Sequence, residues 1–135
     1  MRAARAYKSV HDTTSVMSND SVGLVVLLYE RLLQRILEAD AALHRHDIEG
    51  RGRATSAAIQ IINEGLIGAL DMEQGGEVAK SLKGHYHQWI ALLLKCNLRG
   101  DADPLVTLRM SVTELLSAWL ELKKNHRPGA KTAPS

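Results

Sequence analysis

The sequence predicts an all-α protein, an antiparallel up-down-up-down four-helix bundle preceded by a mobile N-terminal arm. Three observations carry that prediction. Four segments of about twenty residues repeat apolar side chains at steps of three and four, the period of a helix face. The turns between them run to about four to eight residues, short enough to force antiparallel neighbours. All three prolines stand at or beyond Pro104, which leaves the chain before it free for long helices. No strand-like alternation competes. At 135 residues the chain is long enough for one domain with a real core. The expected divisions are an arm over 1–19, the bundle over 20–126 and a Pro/Gly/Ala-rich, disordered tail over 127–135.

The arm carries scattered apolar residues, Tyr7, Val10, Val16 and Met17, in a polar, basic background. It reads either as a disordered arm or as one whose apolar residues dock reversibly on the body. Asp20 and Ser21 can cap the first helix, in which Val25, Leu28, Tyr29, Leu32, Ile36, Ala39 and Leu43 share one face to about His44. A second line, Val26, Leu33 and Leu37, lies more than ~100° away. Residues 45–52 form the expected turn, with Gly50 and Gly52 as breakers. The second helix is expected over Arg53–Met72, with Ala54, Ala58, Ile62, Gly65, Leu66, Ala69 and Leu70 on one face and Gln74-Gly75-Gly76 at its end. In the third, Val78, Leu82, Tyr86, Trp89, Leu93 and Cys96 recur at steps of four, four, three, four and three. Ile90 and Leu94 lie beyond one edge of that stripe and Leu92 beyond the other, so the apolar arc is about 200° wide. Asp103 as cap and Pro104 at the first position open the fourth helix, with Leu105, Leu108, Val112, Leu115, Leu116, Trp119 and Leu122 on one face.

Composition excludes several classes of function. Seventeen basic and fifteen acidic side chains leave a net charge of +2, too balanced to imply nucleic acid or an anionic membrane. No apolar run approaches the ~18 residues of a membrane span and no signal-peptide core is present, which points to the cytoplasm without membrane insertion. Cys96, the one cysteine, sits on an apolar face and reads as a small buried hydrophobe. His44 and His46, like His85 and His87, are two apart, so a helix would turn each pair in opposite directions and neither could grip one ion. No Gly-rich loop follows a strand and no nucleophile has a base at useful spacing, so neither an enzyme nor a cofactor is expected.

What remains is more apolar helix surface than one seam requires. Such surface marks a partner site, and grooves between helices accept an amphipathic segment of another chain. The alternative is a self-associating structural or adaptor bundle, in which the same lines form the seam of a homodimer.

The chain also resembles a known family, the flagellar secretion chaperones (the FliS family). The resemblance rests on the Tyr7 arm, on Leu24-Val25-Val26-Leu27-Leu28-Tyr29-Glu30 at the start of the first long helix, and on Ile61-Ile62-Asn63-Glu64-Gly65-Leu66 through Leu70-Asp71. Gly75-Gly76-Glu77 with Leu82, then Tyr86, Leu93, Asn97 and Asp101, and finally Trp119 follow at the family's spacing. Departures are Asp20-Ser21 in place of Ser-Pro, Leu92 in place of an Arg, His85 in place of a Leu, and Ser117 where an Arg often precedes the last Trp. The resemblance implies a cytoplasmic chaperone without catalysis. Such a chaperone holds the disordered C-terminal segment of flagellin, prevents premature polymerisation and delivers it to a flagellar export gate protein. An anti-sigma factor is a further implied partner, and pairing of the client-free chain into a homodimer stays open. On this reading Tyr7, Val16, Leu24, Val26, Leu27, Leu33, Leu37, Ile90 and Leu94 bind partners, and Leu28, Leu32, Ile62, Leu66, Tyr86, Trp89, Leu93 and Trp119 build the core. The family's N-terminal tyrosine arm covers part of the client surface, a role that falls by position to Tyr7. Tyr7→Ala is therefore expected to leave the thermal melt unchanged and to alter client or export-gate affinity in a titration.

Overall fold

A computed structural model of the chain describes residues 19–125, and among them every regular element is helical. Helix α1 spans Asn19–His44, α2 Ile48–Gln60, α3 Met72–Arg99 and α4 Asp103–Asn125; a π-helical stretch, Ile61–Ile67, extends α2. Helix α1 packs against α2 and α4, and α3 packs against the same two, so the four helices close a ring in chain order.

Three boundaries differ from those expected, and each has a local cause. The turn after α1 occupies only a few residues. His46 adopts a left-handed conformation, φ 59°, while its N–H bonds to Leu43 O at 3.1 Å and Asp47 N–H bonds to Ala42 O at 2.8 Å. That pair of bonds is a Schellman ending. Asp47 then caps α2 by accepting the Gly50 N–H at 2.9 Å, which holds its carboxyl below the usual range. Gly50 and Gly52 therefore lie inside α2 and break nothing. A Cβ on Gly50 would collide with the Asp47 carboxylate, so the cap itself requires glycine there.

The second difference lies between α2 and α3. Helix α2 buries Ala54 and Ala58, and the stretch after it buries Ile62 and Leu66, a run of four-residue steps. On an α-helix each such step drifts by ~40°. The wider π turn, marked by the Gly68 N–H bonding to Asn63 O at 2.9 Å, turns the line back toward the core. The helical run ends at Ile67, and α3 begins at Met72, where Asp71 accepts N–H bonds from Glu73 at 3.1 Å and Gln74 at 2.9 Å. The Gly-Gly pair is thus not the end of α2 but a break inside α3, with Gly76 at φ 53°, ψ −134°, a conformation closed to residues with a Cβ. At α4 the difference is one residue: Asp103 is the first helical residue and its N–H is taken by Asp101 Oδ1 at 3.0 Å.

The core joins diagonal as well as adjacent helices. Tyr29 of α1 stands edge-on to Tyr86 and Trp89 of α3 and to Trp119 of α4, with ring centres 6.4, 5.7 and 6.3 Å away. The Tyr29 and Tyr86 hydroxyls bond to each other at 2.9 Å, and Trp89 Nε1–H donates to Ser111 Oγ on α4 at 2.8 Å. Burial pushes the Tyr29 phenol up to about 12, offset in part by hydrogen bonds from Tyr86 and Trp119. Leu32, Ile62, Leu66 and Leu93 are enclosed around this cluster, while Leu28 packs at its edge over Gly65. Val78 departs from the expected stripe: it is 57% exposed, because just beyond the Gly76 break it lines an open groove and is not clasped by a neighbour.

Trp89→Ala is expected to lower unfolding free energy by about 3–5 kcal/mol, and Ser111→Ala, which strands the indole N–H, by about 1–3 kcal/mol. Urea denaturation of both variants checks the two magnitudes.

Candidate partner-binding surface

The ring of four helices has four seams, and they differ in chemistry. On α1, Arg35 and Glu38 turn toward Gly50, Ala54 and Ala57 of α2, making the α1–α2 seam polar. Leu33 and Leu37 project from the opposite flank of α1, beside α4. On α4, Leu115 and Ser111 face α3, so Leu116 and Leu120 fall on the flank beside α1. The α4–α1 seam is therefore apolar, with Leu37 at 46% and Leu120 at 42% exposure.

The seam across the bundle is polar at one end and apolar beyond it. Arg51 of α2 reaches α3, donating from Nε to Asn97 Oδ1 at 3.1 Å and from Nη2 to Asn97 O at 2.8 Å. Ile90 and Leu94 share the flank of α3 that carries Asn97. Ile59 and Ile48 lie on the facing flank of α2. Ile59 and Ile90 are half-buried, whereas Leu94 is 53% exposed. The remaining seam, α3–α4, holds a groove of about 350 Å³ lined by Glu77, Val78, Ser81, Leu82, His85 and Leu115.

The structure sorts the residues assigned to partner binding. Leu24, Leu27, Leu37 and Leu94 are exposed, and Leu33 and Ile90 are half-buried at seam edges. Val26 is a correction: at 3% exposure it belongs to the core, because α4 lies along that flank and widens the buried arc of α1. Leu27 points almost directly away from the core and joins neither seam. Tyr7 and Val16 lie outside the described residues. Leu98 at 84%, Ile48 at 69% and Met110 at 69% are exposed apolar residues that sequence reasoning passed over. Ile48 falls in the stretch read as a turn, Leu98 lies beyond the last residue of the third helix's stripe, and Met110 was legible only as an apolar residue off its helix stripe.

Cys96 is buried, and burial pushes its thiol up, away from the reactive thiolate. Among the described residues no group of three or more His, Cys, Asp or Glu side chains could hold a metal ion, and no helix is long and apolar enough to cross a membrane.

Comparison with known proteins decides which family this bundle represents. The family model described as flagellar protein FliS matches residues 3–126. The chain belongs to the FliS family. It is 33% identical over 118 residues to the flagellar secretion chaperone FliS of Salmonella typhimurium, covering 87% of each chain. It is 34% identical over 119 residues to the flagellar secretion chaperone FliSB of Pseudomonas aeruginosa, covering 88% of this chain and 94% of that one. With FliS of Campylobacter jejuni the identity is 37% over 106 residues, 76% of this chain and 79% of the relative. A FliS-family bundle is a flagellar export chaperone, which accords with apolar seams and with an interior occupied by packed side chains.

Leu37→Asp and Leu94→Asp, on the two exposed seams, are expected to change stability by no more than about 1 kcal/mol. Val26→Asp, which buries a carboxylate, is expected to cost several times as much. Thermal melts of the three variants separate seam from core.

Proposed function

We propose that this chain is a cytoplasmic export chaperone that binds the disordered C-terminal segment of flagellin, keeps it from polymerising prematurely and escorts it to the flagellar type III export apparatus, where an export gate protein receives it. The observation that carries the reading is the pair of apolar seams, α4–α1 and α2–α3, exposed on opposite sides of a bundle whose interior is already filled. Helices of a client can lay apolar faces into both seams. A disordered segment must give up about 2–5 kcal/mol to order, and two seams return more than one. The family membership supports the same direction, since the relatives are named flagellar secretion chaperones.

Calorimetry with a synthetic flagellin C-terminal segment, paired with circular dichroism, tests the proposal. Saturable binding with a gain of helix on mixing is the expected result, and Leu37→Asp or Leu94→Asp should each weaken it about tenfold or more, corresponding to about 1.4 kcal/mol. Undiminished binding by the Leu37→Asp/Leu94→Asp double variant would remove the seams as the client surface.

A further inference from the structure

The two apolar seams face away from each other, so one client that fills both must cross between them. This inference rests on the docking reading above. Two lateral routes exist, over the α1–α2 seam or over the α3–α4 seam, and they differ in charge. The α3–α4 groove is lined by Glu77, Ser81 and His85 among apolar residues, with no Arg or Lys. The α1–α2 groove, about 370 Å³, has a floor of Gly50, Ala54 and Ala57 and carries Arg35, Arg45 and Arg53 together with Glu38. Ala54 and Ala57 leave room for an extended backbone beside the Asp47 carboxylate that stands against Gly50, and the guanidinium groups supply forked donors suited to carboxylates.

These arginines are only lightly engaged. Arg35 gives Nη2 to Glu38 at 2.9 Å, an exposed pair within one helix, while its Nε is buried and has no hydrogen-bond partner among the described residues. Arg45 gives Nη2 to Asp47 at 3.1 Å. Arg53 stands 3.9 Å from Glu49, with both side chains exposed. Exposed pairs of this kind contribute little, so an incoming carboxylate can replace them at small cost. We propose that the stretch joining the two docked helices of the client is acidic and crosses the α1–α2 seam, its carboxylates held by Arg35, Arg45 and Arg53. Glu38 competes with those carboxylates for Arg35.

Opposite signs at neighbouring residues make the test sharp. A synthetic flagellin C-terminal segment is titrated into the full chain and into Arg35→Gln/Arg53→Gln and Glu38→Gln variants at low and high salt, with melts run alongside. The arginine variant should bind about tenfold more weakly with a flatter salt dependence, and Glu38→Gln should bind more tightly, neither changing the melt by more than a degree or two. A segment whose inter-helix Asp and Glu are replaced by Asn and Gln should no longer distinguish the arginine variant from wild type. If both variants bind within twofold of wild type with unchanged salt dependence, the crossing is overturned and docking on the seams stands. If the segment fails to bind the wild-type chain at all, the docking reading falls and this one with it.

Discussion

Two tyrosine hydroxyls that meet inside the bundle fix much of what the rest of it can do. In a dry interior a buried hydroxyl needs a partner, and the 2.9 Å bond between the Tyr29 and Tyr86 hydroxyls ties α1 to α3 across the diagonal. Trp89 and Trp119 pack edge-on around the pair, and the Trp89 indole is anchored in turn on Ser111. This sets the rotation of three helices about their axes. Once those phases are set, apolar residues elsewhere on the circumference cannot turn inward. Leu37 on one flank of α1 and Leu94 on one flank of α3 are left at the seams as a geometric consequence.

The chemistry of the four seams alternates around the ring. Apolar seams lie at α4–α1 and α2–α3, a polar one with small residues lies at α1–α2, and a mixed groove lies at α3–α4. A bundle with one apolar seam could bury it by simple pairing with a second copy. Two on opposite sides cannot both be covered by one compact neighbour. They suit a long, pliable partner that folds as it binds, which is the kind of client a FliS-family chaperone is proposed to carry.

How much of this was legible in the sequence varies with the kind of signal. Helix number, order and the enclosed residues Leu32, Tyr86, Trp89 and Leu93 followed from periodicity, because each helix is long enough for its stripe to dominate. The start of α2 was misplaced because Gly50 and Gly52 outweighed the Asp47 cap three residues before Gly50. In the structure the glycine serves the cap. The π stretch was invisible to a 3.6-residue template, although four-residue steps at Ala54, Ala58, Ile62 and Leu66 were its trace. Val26 was assigned outward by its angle from the main stripe. That rule assumes one neighbour per helix, and α1 has two. The seams themselves could not be read residue by residue, since sequence alone does not say which flank of a helix meets which neighbour.

The two ends of the bundle are built differently. At one, a Schellman turn runs straight into the Asp47 cap, and Arg51 fastens that corner to the last turn of α3 through Asn97. At the other, the π stretch, the Asp71 cap and the Gly76 break follow one another within a few residues. One end is thus cross-tied between α2 and α3 by side-chain bonds, whereas the other is shaped by backbone departures from the α-helix. A change at Arg51 would therefore unfasten the first corner without touching the turns that shape the second.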